Sequence, residues 1–384
     1  MSAENVETLF INGQWVAASN QATRTIYCPA DGSEVGVVSE ATTEDTERAI
    51  AAARAAFESG VWADKPAAQR GDFLLAVAEG IRERKDEFAR AEALDTGKRL
   101  VEAEGDMEDI ISAFRHFGKI ADHYPGRLVD AGDPTVVSRV VHEPIGVVGM
   151  ITPWNFPLLQ ASWKIAPAIA TGNSFVIKPA ELTPHTTMLI VDVMDKLGLP
   201  AGVANVVLGD GGTVGAPLST HKDIDLVSFT GGLITGRKIA ESAAHTVKDV
   251  ALELGGKNPN VIFADADFEA ALDNALNAGF LDSGLVCSAG TRLIVQDTIA
   301  EQFVDELVRR AANIVMGGPF DDKAETGPLV SAEHRDKVTD YVNRGVEAGA
   351  RLRTGGNWGG PEHENGYFYA PTVLDQCTSD NPAV

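Results

Sequence analysis

An α/β fold built on a parallel sheet is the expectation for this chain, and three observations carry it. Between residues 145 and 254, short apolar runs alternate with stretches whose apolar residues recur at helical spacing. Runs such as Ile145-Gly-Val-Val-Gly-Met-Ile151 are apolar nearly throughout, as strands covered on both faces are. Glycine, proline and polar residues close the runs at their C-terminal ends. Strands alternating with helices imply right-handed crossovers, and in such sheets ligands bind beyond the carboxyl ends of the strands.

Taken in order, residues 39–121 read as helical. Ile50, Ala53 and Phe57 lie on one helix face, and Phe73, Val77 and Ile81 on another. The texture then changes. Residues 123–144 hold Pro125, Gly126, Gly132 and Pro134, then the β-prone Val136-Val-Ser-Arg-Val-Val141, and read as an excursion from the core. After the strand ending at Ile151, residues 158–170 read as a helix and 174–178 as a strand. Leu189, Ile190, Val193, Met194 and Leu197 form the next helix face, closed by Gly198 and Pro200. Strands at 205–208, 226–229 and 250–254 follow, with a helix from near Thr235. A second α/β block begins near Gly255, with a strand at 260–263 and helices near 268–279 and 299–314.

The 384 residues, 44% hydrophobic, suffice for two or three domains. A net charge of −23 argues against nucleic acid and anionic membrane as partners, since like charges repel. Met1–Phe10 carries two acids and no basic stretch, so no leader is expected. No run approaches the ~20 apolar residues of a membrane span. Three scattered cysteines, Cys28, Cys287 and Cys377, fit neither a disulfide framework nor a zinc cluster, and a reducing cytoplasm is expected.

Chemistry gathers at the strand ends. They lead into Thr152-Pro-Trp-Asn155, Lys178-Pro-Ala-Glu181, Gly209-Asp-Gly-Gly-Thr-Val-Gly215 and Phe229-Thr-Gly-Gly232. Glycines at a helix start let backbone N–H groups approach a pyrophosphate, and a lysine with a glutamate can grip a ribose. The alternatives are a mobile glycine turn and two exposed charges at a strand end. Cys287, Glu253 and Asn155 form a further set. A thiolate is a strong nucleophile, a carboxylate can activate water, and an amide N–H can hold an oxyanion.

These motifs together resemble the aldehyde dehydrogenase superfamily: Glu253-Leu-Gly-Gly-Lys257, Gly284-x-x-Cys-Ser-Ala-Gly-Thr-Arg292, Pro153-Trp-Asn-Phe-Pro157 and Phe229-Thr-Gly-Gly232. Asn258-Pro-Asn260 and Gly327-Pro-Leu-Val-Ser331 add to the likeness, which runs from Phe10 to Val373 and is strongest with the bacterial betaine-aldehyde branch. The resemblance implies an NAD-binding domain of Rossmann type over 1–122 and 145–254. It also implies an oligomerisation arm over 123–144 and an incomplete catalytic domain over 255–384.

By the same resemblance, Cys287 attacks an aldehyde, Asn155 and the Cys287 N–H hold the oxyanion, and Glu253 activates water. Lys164 matches a position given a charge-relay role, with a structural or solvated helix lysine as the alternative. The cofactor implied is NAD, held by Thr152, Pro153, Trp154, Lys178, Pro179, Ala180, Glu181, Gly211, Gly215, Phe229, Thr230, Gly231, Gly232, Leu254 and Gly255. An acid beside the ribose 2′-hydroxyl disfavours a 2′-phosphate. Phe156 and Trp163 match aromatic positions that would face a trimethylammonium group. Asp95, in Leu94-Asp-Thr-Gly-Lys98, resembles a potassium-site residue. A dimer or tetramer of identical chains is expected.

Three departures stand out. Leu285 replaces a glutamine before the cysteine, and Leu233-Ile234 replaces a more polar pair. Relatives also continue past the equivalent of Val384 with a Glu-x-Phe-Gly-Pro segment and further catalytic-domain chain, so exposed apolar surface and open strand edges are expected here. The substrate is betaine aldehyde or a simple aliphatic aldehyde on this reading. A non-catalytic dinucleotide-binding protein on the same scaffold is the alternative.

Overall fold

The structure, a computed structural model, describes residues 8–384; Met1–Glu7, part of the segment read for a leader, lies outside them. Its contacts divide the chain into two compact units. The first takes the chain up to Thr25, Gly36–Ala89 and Glu104–Glu253; the second takes Ile26–Val35, Arg90–Ala103 and Leu254–Val384.

The first unit is built on a seven-stranded sheet. Its order is Asp249–Leu254, Leu226–Gly231, Val147–Ile151, Ser174–Lys178, Ala204–Val206, Leu9–Ile11 and Gln14–Val16. Strand Val147–Ile151 pairs in parallel with Leu226–Gly231 and Ser174–Lys178, and Ser174–Lys178 with Ala204–Val206. The Leu9–Val16 hairpin adds antiparallel to the edge at Ala204–Val206. Val147–Ile151 and Ser174–Lys178 are buried at every residue, which explains why they read as apolar runs without alternation.

Helices form where the spacing predicts them; Thr43–Glu58, Pro157–Ala170, His185–Lys196 and Leu233–Ala244 lie against the sheet, and Ala67–Glu83 packs on Pro157–Ala170 and His185–Lys196. Thr43–Glu58 starts on a capping box in which Thr42 and Asp45 each accept the other's backbone N–H. Pro157 opens its helix at the first turn, where its fixed φ fits and its missing N–H has no role. Buried Asn205 stitches the sheet. Its Oδ1 accepts from the Asn12 N–H at 2.9 Å and its Nδ2 donates to the Gly202 and Phe175 carbonyls at 2.8 and 3.2 Å.

Residues 123–144 form a two-stranded antiparallel hairpin, Arg127–Val129 with Ser138–Val140, shorter than the Val136–Val141 run suggests. Its Leu128 and Val137 are 78% and 81% exposed.

In the second unit, Pro259–Ile262 pairs in parallel with Arg292–Val295 across the helix Phe268–Phe280. Asp297–Ala311 packs on that helix. Ile262, Ala271, Leu272, Ala275, Phe303 and Leu307 form the core, with Phe268 edge-on to Phe303. Val261, Phe263 and Ile294 along this small sheet are exposed. Segments 26–35 and 90–103, which the resemblance assigns to the NAD-binding domain, are held here by specific contacts. Leu100 N–H donates to the Pro319 carbonyl at 2.8 Å, Tyr367 N–H to the Pro29 carbonyl at 2.9 Å, and Arg90 lies over the Phe320 ring.

Candidate active site

Four strand ends of the first unit carry the polar groups. Lys178 closes its strand with its side chain turned inward and only 3% of the residue exposed, so the reading of two exposed charges does not hold for it. Its ammonium donates to the Gly209 carbonyl at 2.8 Å and the Pro179 carbonyl at 2.9 Å, and lies 3.4 Å from the Glu181 carboxylate. Burial pushes its pKa down, and Glu181 opposes that. Pro179 and Ala180 thus form a short rigid link between an anchored lysine and a half-exposed glutamate.

The glycine run after the next strand is a capped turn. Asp210 accepts the N–H groups of Gly212 and Thr213 at 2.6 and 2.8 Å and the Thr213 hydroxyl at 2.9 Å. Those bonds hold its carboxyl below the usual range. Gly211–Gly215 makes a single wide turn leading into a short helix. Gly231 ends the Leu226–Gly231 strand, and Gly232 caps helix Leu233–Ala244 without a side chain. A Cβ on Gly231 would stand 2.6 Å from the Phe229 ring, whereas one on Gly211, Gly232 or Gly255 would meet nothing within 4 Å. The backbone is therefore open at the start of a helix, where N–H groups favour an anion. Thr152 adds a buried hydroxyl with no partner among the described residues, at the strand end leading to Pro153 and Trp154. Open glycines at a helix start, an anchored lysine beside a glutamate, and a buried spare hydroxyl fit a dinucleotide.

Lys164 is a second buried lysine of this unit. It lies 7% exposed on helix Pro157–Ala170, and its Nζ donates to the Thr230 hydroxyl at 2.7 Å. That hydroxyl donates onward to Gln160 Oε1 at 3.2 Å. Burial pushes the Lys164 pKa down to about 8, against the pull of the Glu253 charge. The reading of a solvated helix lysine is thereby corrected: this lysine is desolvated. Thr230, expected only as a cofactor contact, is the hub of the chain. Gln160 was missed, although its spacing of four residues from Lys164 on a buried helix face was the available signal. Phe156 caps this helix half-buried, next to half-buried Asn155, and Trp163 is 52% exposed.

Glu253 is exposed on the last sheet strand, with Leu254 and Gly255 following. Cys287 belongs to the second unit and is exposed in a turn before the Arg292–Val295 strand, its carbonyl accepting from Asn258 at 3.4 Å. The other thiols differ. Cys28 is buried, which pushes its pKa up to about 11, and burial raises Cys377 as well. Asp95 is 2% exposed. Among the described residues no group of three or more His, Cys, Asp or Glu is placed to hold a metal ion. No helix among them is long and apolar enough to cross a membrane.

The sequence profile of the aldehyde dehydrogenase family matches residues 15–384. The chain belongs to that family. This aldehyde dehydrogenase is 52% identical to the betaine aldehyde dehydrogenase of Bacillus subtilis over 375 residues, 97% of this chain and 76% of the relative. It is 41% identical to an aldehyde dehydrogenase of Emericella nidulans over 373 residues, 97% of this chain and 74% of the relative. A crystal structure of betaine aldehyde dehydrogenase from Staphylococcus aureus in complex with NAD+ superposes with a TM-score of 0.96. That match has 47% identity and covers 98% of this chain and 75% of the other.

Proposed function

We propose that this chain is an NAD-dependent enzyme that oxidises betaine aldehyde to glycine betaine through a covalent thioester on Cys287. The observation that carries the substrate is the 52% identity, across 97% of the chain, with a betaine aldehyde dehydrogenase. Cys287, the exposed thiol of the three, attacks the aldehyde carbon. The Asn155 side chain and the Cys287 N–H donate to the oxygen as it gains charge. Bound NAD supplies the hydride acceptor, held by Lys178 and Glu181 at the ribose and by the N–H groups around Gly231 and Gly232 at the pyrophosphate. Glu253 then takes a proton from the water that cleaves the thioester. Lys164, part neutral near pH 8 and within reach of the Glu253 charge, holds or releases a proton on that side of the site, with Thr230 and Gln160 fixing its position. Phe156 and Trp163 offer aromatic faces to the trimethylammonium group.

NADH formation tests this, with betaine aldehyde, an ω-aminoaldehyde and propanal compared at equal concentration. A higher kcat/KM for betaine aldehyde, abolished in Cys287→Ala, is expected; a preference for propanal overturns the substrate. Equal or higher use of the ω-aminoaldehyde moves the assignment to that class, since a Pisum sativum aminoaldehyde dehydrogenase is 39% identical. Association into a homo-oligomer in a reducing cytoplasm completes the proposal. The exposed Leu128 and Val137 of the hairpin support the first part and the three free cysteines the second.

A further inference from the structure

The turn that leads to Cys287 has a backbone that ordinary residues avoid. Asp282 has φ 47° and ψ 44°, Ser283 φ 55° and ψ 24°, and Gly284 φ 74°. Two consecutive side-chain-bearing residues in the left-handed region persist only where surrounding structure holds them. Each has a remote anchor within the second unit. The Asp282 carboxylate lies 3.6 Å from the Lys98 ammonium, with side chains 6% and 1% exposed. The Asp282 N–H donates to Glu102 Oε1 at 3.1 Å, and Arg99 holds that carboxylate at 2.9 Å. The Ser283 hydroxyl donates to the Gly327 carbonyl at 2.8 Å and lies 3.1 Å from the Thr326 hydroxyl.

The anchoring wall is itself tightly packed. A Cβ on Gly97, at φ 75°, would stand 2.5 Å from Pro328, and one on Gly327 would stand 2.6 Å from the Gly97 carbonyl. Thr96 accepts the Lys98 N–H and donates to the Glu92 carbonyl. The Asp-Thr-Gly-Lys and Gly-Pro segments therefore meet each other and grip the turn.

We propose that Lys98 and Asp282 are positioning residues for the nucleophile: their buried ion pair, backed by Glu102 and Ser283, pins the left-handed turn and so sets where the Cys287 thiol stands. This rests on the reading of Cys287 as the nucleophile. Aspartate and asparagine both tolerate the left-handed region, so Asp282→Asn removes the charge without changing the backbone preference.

The test measures Cys287 alkylation by iodoacetamide, kcat, the NAD dissociation constant and thermal unfolding of the full chain. Asp282→Asn and Lys98→Met are expected to slow Cys287 alkylation and kcat by roughly ten- to a hundredfold, the scale of a small misplacement of a reacting group. NAD affinity, which the reading assigns mainly to Lys178, Glu181, Gly231 and Gly232 of the first unit, is expected to hold. Lys98→Arg should restore most of the rate. Ser283→Ala, which leaves no buried charge, covers the case in which the charge variants do not fold and should show a smaller loss of the same kind. Lowered unfolding temperatures with unchanged alkylation and kcat overturn the proposal. A wild-type Cys287 that reacts no faster than Cys28 and Cys377 overturns the nucleophile reading itself, and the inference with it.

Discussion

Replacing Lys164 with methionine should make this protein more stable and less active, with a stability gain that depends on pH. Methionine keeps the length and removes a charge that is 7% exposed. The Lys164 pKa falls from 10.5 unfolded to about 8 folded, so between those values the unfolded chain binds more protons and stability rises with pH. At pH 7 the penalty for holding the charged form is about 3 kcal/mol, and at pH 9 about 2 kcal/mol. Losing the 2.7 Å bond to Thr230 costs about 1 kcal/mol, since Thr230 keeps its bond to Gln160. Lys164→Met should therefore gain about 2 kcal/mol at pH 7 and about 1 kcal/mol at pH 9. Urea unfolding followed by tryptophan emission reads this, because Trp15, Trp62, Trp154 and Trp163 all lie in the first unit. The same variant should lose the inflection near pH 8 in kcat. A stability difference that is constant between pH 7 and 9, or a destabilised variant, would refute the argument that Lys164 is desolvated.

Three further outcomes follow from the geometry. Iodoacetamide at neutral pH should label Cys287 well before Cys28, because Cys28 is buried with its pKa pushed up to about 11; peptide mapping by mass spectrometry reads the order. Gly231→Ala should lower stability by about 1–3 kcal/mol, since its Cβ would meet the buried Phe229 ring at 2.6 Å, and calorimetry should show weakened NAD binding. Burial by itself would raise the Asp45 carboxyl, but the N–H and hydroxyl groups of Thr42 and Ser19 hold it below its ordinary value. Its contribution is then present above about pH 4 and is lost as pH falls through the lowered value, so the stability deficit of Asp45→Asn should close in acid.

Much of the fold was legible because its signals are local. The alternation of apolar runs and helical faces between residues 145 and 254 corresponds to strands and helices within a few residues, as at Pro157–Ala170 and Ser174–Lys178. Segment 90–103 was different. It reads as a helical continuation of its neighbours, yet Leu100 and Arg90 find partners at Pro319 and Phe320, more than two hundred residues away. Nothing in its own periodicity carries that pairing.

The residues of the site divide in the same way. Residue type and motif by themselves determined the chemical inventory: one cysteine in a glycine-rich turn, a carboxylate and an amide at strand ends, and open glycines at a helix start. Tertiary structure alone decided what state those groups are in. It desolvates Lys164 and Lys178, caps the Gly211–Gly215 turn with Asp210, and seats Asp282 against Lys98. The reason is physical. Periodicity and turn chemistry act over a few residues of chain, whereas burial, ion pairing and the pKa shifts they cause are set by groups that only folding brings near.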